Sequence, residues 1–148
     1  MNWTNIETEL INDEGLELRV YLCPAKKQTI GVGHRLLAHE LSISEISLTE
    51  AGGLLRNDIC NVMHDLECIF GIHCLDHWTE ARQHALINMG FQLGRTRFSG
   101  FVRMIAAIKA DDWLQAAIEC LDSKYANSDA PERAVRVAKA LRGTHLMQ

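Results

Sequence analysis

Asp13-Glu14-Gly15-Leu16-Glu17-Leu18-Arg19-Val20-Tyr21-Leu22-Cys23-Pro24-Ala25-Lys26-Lys27-Gln28-Thr29-Ile30-Gly31-Val32-Gly33-His34 is the stretch from which the fold is read. Leu16 to Leu22 alternates apolar and polar residues with period two, the pattern of a half-buried strand. Cys23-Pro24-Ala25-Lys26-Lys27 reads as a turn, and Gln28 to Gly33 as a returning strand. Upstream, Thr4-x-x-Glu7 has the form of a capping box, with Ile6, Leu10 and Ile11 on one helical face and Gly15 as the residue that ends the helix. A short helix followed by a small hairpin is therefore expected.

Downstream the pattern becomes helical. Ser47-x-x-Glu50 is a second capping box. From Leu55 through Ile59, Val62, Met63, Leu66, Ile69 and Phe70, apolar residues keep helical spacing. Gly52-Gly53 weakens the start of that helix by about 1 kcal/mol per glycine relative to alanine. Shorter helices are predicted around Thr79–Phe91, Phe101–Ile108, Asp112–Leu121 and Pro131–Leu141, the last with proline in its first turn and Gly143 beyond its end. One small sheet segregated from a helical body is an α+β arrangement. The length of the Ser47–Phe70 helix suggests one domain over residues 1–148, built as a small N-terminal hairpin lobe and a mostly helical C-terminal lobe joined by that helix, with a substrate cleft between.

The 148 residues, 47% hydrophobic and 23% charged, suit one soluble globular domain. No apolar run approaches the roughly 20 residues that span a bilayer. The opening residues show neither a basic nor an apolar signal region, so folding in a cytoplasm is expected. Fifteen basic against nineteen acidic residues give a net charge of −4, with no Lys/Arg run to track phosphates, which argues against nucleic acid as the partner. The five cysteines (Cys23, Cys60, Cys68, Cys74 and Cys120) are an odd number without a CxxC, the usage of reduced thiols.

Glu14 stands out on local physics. It falls at the C-terminal end of the first helix, where the macrodipole disfavours an anion, a setting that suits a carboxyl serving as proton donor. An isolated Glu at a helix end is more often a solvated surface residue, so its neighbours decide the reading. Asp13-Glu14-Gly15-Leu16, Tyr21 and Thr29-Ile30-Gly31-Val32-Gly33-His34 together resemble the catalytic hairpin of the phage-type lysozymes, glycoside hydrolase family 24. Ile87-Asn88-Met89-Gly90-Phe91-Gln92-Leu93-Gly94 is similar to that family's cleft-lining helix. Gly100-Phe101, Trp113-x-x-Ala116-Ala117 and Pro131-x-Arg133-Ala134-x-Arg136-Val137 match later blocks in the same order, and the likeness covers nearly the whole chain.

The resemblance implies an endolysin-type muramidase that cuts the β-1,4 bond between N-acetylmuramic acid and N-acetylglucosamine in bacterial peptidoglycan. Such enzymes pair an acid that protonates the leaving oxygen with a second group across an oxocarbenium-like transition state. By that likeness Glu14 is the general acid, Thr29 the hydroxyl that positions water or substrate, and Arg133 the cation that holds Glu14. Gly31, Gly33, Phe91 and Gln92 fall on substrate-binding positions. His34 with Asp58 falls on a supporting His–Asp pair, and Asn88 is read as satisfying buried backbone. Cys23 stands where the family usually has Asp. A thiol is neutral near pH 7 unless its pKa falls from about 8.5, so three readings stay open: Cys23 fills the Asp role, the enzyme is weakened, or a silent peptidoglycan-binding or phage-structural module remains.

No cofactor or metal is implied. Cys68, His73, Cys74 and His77 lie close together, but their spacing is not that of a zinc motif, and they are read as ordinary thiols and solvated histidines. Trp3, Trp78 and Trp113 are read as packing aromatics. A thiol hydrolase using Cys23 and His34 is a further alternative, without a recognisable oxyanion hole. The family reading implies a monomer held in the host cytoplasm until lysis. It would reach the periplasmic wall through a separate holin, without membrane insertion. With its net −4, weak long-range attraction to an anionic wall is expected, and activity less suppressed by salt than in a cationic homologue.

Overall fold

The computed structural model describes residues 1–143. The order is α1 (Trp3–Glu14), β1 (Glu17–Leu22), β2 (Gln28–Gly31), β3 (His34–Arg35), α2 (Leu48–Phe70), α3 (Glu80–Ser99), α4 (Val102–Lys109), α5 (Trp113–Leu121) and α6 (Pro131–Arg142). It is α+β: mostly helical, with one three-stranded antiparallel sheet in the order β1-β2-β3. Two compact units are distinguishable, Asn2–Asn61 and the chain from Val62 onward, and the division falls inside α2. No described helix is long and apolar enough to cross a membrane.

In the first unit α1 starts one cap earlier than its sequence suggests. The Asn2 side chain accepts from Asn5 N–H at 3.1 Å, while Glu7 pairs with Arg56 of α2, whose guanidinium also lies over Trp3. The Thr4/Glu7 box is thus replaced by an Asn cap, because Glu7 has a cationic partner elsewhere. Gly15, at φ +80, ends the helix with its N–H on Ile11 O at 2.9 Å. At α2 the expected box forms: Glu50 N–H donates to Ser47 Oγ, and Ser47 N–H donates to the Glu50 carboxylate, each at 3.1 Å.

The sheet departs from a simple hairpin in two ways. Between the pairs Glu17↔Gly31 and Tyr21↔Thr29 the register slips, so β1 bulges away from β2. The bulge pairs with another segment instead: Arg19 bridges Glu45, Val20 N–H donates to Ser44 O, and Ile46 N–H donates to Leu18 O. Alternation therefore buries little of β1, and Leu18 and Leu22 stay exposed. Second, the returning strand stops at Gly31. Positive φ at Gly31 (+65) and Gly33 (+63) reverses the chain into β3, where His34 pairs with Ile30. Ile30, Ile46 and Ala51 form the core beneath the sheet, with Val20, Leu36, Ile43 and Leu54 packed on it.

The second unit packs α4, α5 and α6 with α3 as its apolar centre. His84 to Gly90 of α3 are all buried, the mark of a helix surrounded on every side. A Cβ on Gly90 would come 2.8 Å from Val62 Cγ1, so glycine lets the helices approach. Phe70, Trp78 and Trp113 make an edge-to-face series with centroids 5.2 and 5.9 Å apart. α3 runs on past the expected Phe91 to Ser99, broken at Gly94 by non-helical angles.

Candidate active site

Glu14 is the last residue of α1, half-buried, with Oε1 out of solvent. The tight turn between β2 and β3 brings Gly33 onto it. A Cβ at Gly33 would stand 3.2 Å from Glu14 Oε2 and 3.4 Å from its Cβ and Cγ. Gly33 thus does more than accept a left-handed φ, since the missing side chain makes room for the carboxyl. At Gly31 a Cβ would instead face Ile46 and Ala51 at 3.7 and 4.0 Å, on the core side.

Tyr21 lies directly across from Thr29 in the ladder, so the two side chains share a face. Period-two alternation puts Cys23 on the same side as Tyr21. Burial raises the Tyr21 phenol above its ordinary pKa, and negative charge on Glu14, Cys23 and Glu17 adds to the effect. Tyr21 therefore sits within electrostatic reach of the carboxyl and the thiol.

Cys23 opens the β1–β2 turn. Its N–H donates to Lys27 O at 3.0 Å and its carbonyl accepts from Lys26 N–H at 2.7 Å, with Lys26 left-handed at φ +59. The Lys27 backbone bond to the sulfur lowers the thiol's pKa most. Burial works against it, and Thr29, the Ala25 backbone and the Arg35 charge help in turn. Thr29 is buried, and its single hydroxyl proton goes to Lys27 O at 2.9 Å. The backbone contribution at Cys23 is therefore the firmer one. Backbone N–H groups of Lys27 and Ala25 in this turn are thus aimed at the side chain of position 23.

His34 is clamped. Its Nδ1 lies 2.7 Å from Asp58 Oδ2, and its Nε2 lies 3.0 Å from Glu40 Oε1. With a carboxylate on each ring nitrogen both nitrogens donate, and the imidazolium pKa rises to about 9, with the Asp58 bond as the largest cause. Glu40 is lowered, first by Leu37 N–H, which donates to Oε1 at 2.8 Å, and then by His34. Glu40 escaped the sequence reading, which named Tyr21 only as part of the hairpin likeness and gave it no role. Tyr21 was legible from alternation, whereas a turn residue six positions after His34 carries no periodic signal.

In the second unit Arg133 is buried, and its Nε donates to Asn88 Oδ1 at 2.6 Å. Asn88 thus serves a guanidinium, a role that the sequence reading did not give it. Phe91 and Gln92 are half-buried on α3. Of the Cys/His group near the end of α2, Cys74 is buried and His73 faces Asp76 at 3.5 Å, while Cys68 faces back along its helix. Among the described residues no group of three or more His, Cys, Asp or Glu is placed to hold an ion.

The family model for phage lysozyme matches residues 12–139, a span holding every residue of the hairpin, Asn88 and Arg133. The chain belongs to the phage lysozyme family. It is 26% identical to "Probable T4-type lysozyme 2" of Dictyostelium discoideum, over 90% of this chain and 91% of that one. It is 28% identical to the pre-baseplate central spike protein Gp5 of Enterobacteria phage T4, over 72% of this chain and 22% of the spike protein. It is also 32% identical to an endolysin of Acyrthosiphon pisum secondary endosymbiont phage 1, over 58% of this chain and 55% of that protein.

Proposed function

We propose that this chain is a muramidase, hydrolysing the β-1,4 bond between N-acetylmuramic acid and N-acetylglucosamine in peptidoglycan, as an endolysin does. The observation that carries the reading is the packing of Gly33 on Glu14, which holds one carboxyl at a fixed place beside the Tyr21/Thr29/Cys23 face. Glu14 is assigned as the general acid that protonates the departing glycosidic oxygen. Cys23 takes the second position. Its turn lowers the thiol pKa, which raises the thiolate fraction, and the sulfur is assigned the place facing the developing oxocarbenium ion. Thr29, with its proton committed to Lys27 O, keeps lone pairs to accept from an attacking water. Phe91 and Gln92 are assigned to sugar contacts by packing and hydrogen bonding.

Permeabilised Gram-negative sacculi treated with wild type, Glu14→Gln and Cys23→Asp, with released fragments identified by mass spectrometry, test this. Muropeptides ending in reducing N-acetylmuramic acid are expected from wild type, are lost in Glu14→Gln, and are kept or increased in Cys23→Asp. The similarity to a spike protein favours one competing reading, a wall-binding or phage-structural module. Sacculus binding without release by wild type, together with release by Cys23→Asp, would establish that reading and identify Cys23 as the inactivating change.

A further inference from the structure

The turn that seats Gly33 on Glu14 has little backbone to hold it. β3 is two residues long, and its ladder with β2 consists of Thr29↔Arg35 and Ile30↔His34, with one further bond from Leu36 N–H to Gln28 O at 2.9 Å. Gly31 and Gly33 both have positive φ, and glycine loses more conformational freedom on ordering than any other residue. The side chain that follows Gly33 supplies what the backbone lacks. His34 is tied at both ring nitrogens, Nδ1 to Asp58 of α2 and Nε2 to Glu40. A single bond would leave the ring a pivot, whereas bonds at opposite edges stop it turning. Glu40 is itself fixed, because Oε1 also accepts from Leu37 N–H at 2.8 Å while Oε2 lies 3.2 Å from His34 Nε2. The His34 and Glu40 side chains are largely out of solvent, so water competes little for these bonds.

We infer that Glu40 is a positioning residue for Glu14: it locks His34, and through it the Gly33 backbone, where the missing side chain makes room for the carboxyl. Its effect on turnover rests on the muramidase reading; its effect on Glu14 does not. Without Glu40 the ring keeps Asp58 alone, the glycine turn samples neighbouring positions, and Glu14 loses the wall it packs on. A shift of about 1 Å in a reacting group can cost on the order of 100-fold in rate, so a loosened carboxyl is felt in turnover before it is felt in binding. The role belongs to the hydrogen bonds of Glu40 and to its reach, and not to its charge alone.

Turnover of soluble, uncross-linked peptidoglycan strands by the full chain, measured at about pH 6 where His34 is charged, tests this with variants of Glu40. Glu40→Ala removes the clamp. Glu40→Asp keeps the charge but shortens the reach by one methylene, and Glu40→Gln keeps the reach and an acceptor oxygen without the charge. In the Ala and Asp variants kcat should fall on the order of 10-fold with KM nearly unchanged. Glu40→Gln should recover most of that loss. The Glu14 carboxyl-carbon resonance, assigned through Glu14→Gln in isotope-labelled chain, should move in Glu40→Ala and Glu40→Asp and return toward its wild-type position in Glu40→Gln. Circular dichroism shows which variants are folded, and Glu40→Asp serves where Glu40→Ala does not fold. An unmoved Glu14 resonance in a folded Ala or Asp variant, wild-type kcat in that variant, or a Gln variant no better than Ala would each overturn the inference. If wild type cleaves nothing, the muramidase reading falls by itself, and the Glu14 resonance still decides for or against Glu40.

Discussion

Gly33 and Glu14 are in packing contact: the position a side chain would take on the glycine lies 3.2 Å from the Glu14 carboxylate oxygen. Gly33→Ala carries two penalties. The left-handed φ of +63 costs an L-residue about 1–2 kcal/mol, and the new methyl pushes on the carboxyl. A fall in the urea midpoint corresponding to about 1–3 kcal/mol is expected. Wall-lytic activity should fall further than the lost stability explains, read on protein that remains folded. Gly31→Ala makes the comparison, since it shares the strain but directs its methyl at Ile46 and Ala51. Equal activity losses in the two variants would remove the special role of Gly33.

The sequence made the α1–hairpin–α2 order legible because helix caps and strand alternation are local signals. Ser47 and Glu50 form the expected box, and α1 ends at Glu14 as Gly15 implies. It failed where a distant partner decides the outcome. Arg56 takes Glu7 from the predicted Thr4 cap, and the 44–46 segment draws β1 into a bulge that exposes Leu18. The same limit applied at the site. Glu14, Cys23 and Thr29 lie in one contiguous stretch whose likeness to the family's hairpin singles them out, whereas Glu40 closes the His34 clamp from a turn with no pattern to betray it.

Asn88 and Arg133 form a buried pair with the guanidinium Nε donating at 2.6 Å. Replacing Asn88 by Ala removes an acceptor from a desolvated cation, and an unsatisfied buried group of that kind costs about 1–3 kcal/mol. Arg133→Lys loses the fork geometry and should cost a similar amount. A double-mutant cycle with denaturant midpoints should return a coupling of about 1 kcal/mol or more. Strict additivity would mean that the two side chains do not support each other.

Three of the five thiols should separate by chemistry. Cys23 is lowered by the turn, whereas burial raises Cys120 to about 11 and also raises Cys74. Brief iodoacetamide treatment of the folded chain near pH 7, followed by peptide mapping, should label Cys23 well before Cys74, and Cys120 only on unfolding. Labelling Cys23 should also inactivate a muramidase that uses its sulfur. Full labelling with activity intact would make Cys23 a bystander of the turn.

His34 makes stability depend on pH in a defined direction. Its pKa rises from 6.5 to about 9 on folding, because Asp58 and Glu40 both favour the imidazolium. The folded state therefore binds the proton more tightly than the unfolded chain does. The stabilisation is fully present below pH 6.5 and is lost as pH climbs through about 9. Discounted for the solvent that still reaches the pair, it amounts to about 2 kcal/mol. Glu40 acts at the other end: its pKa falls on folding, so its contribution is present above the usual carboxylate range and is lost as acid protonates it. Urea midpoints measured from pH 5 to pH 9.5 should decline through the upper window in wild type and stay nearly level in His34→Asn. Thiol ionisation occurs in both proteins, so the difference between the curves isolates the imidazole. Parallel curves would mean that the two carboxylates do not hold a charged His34.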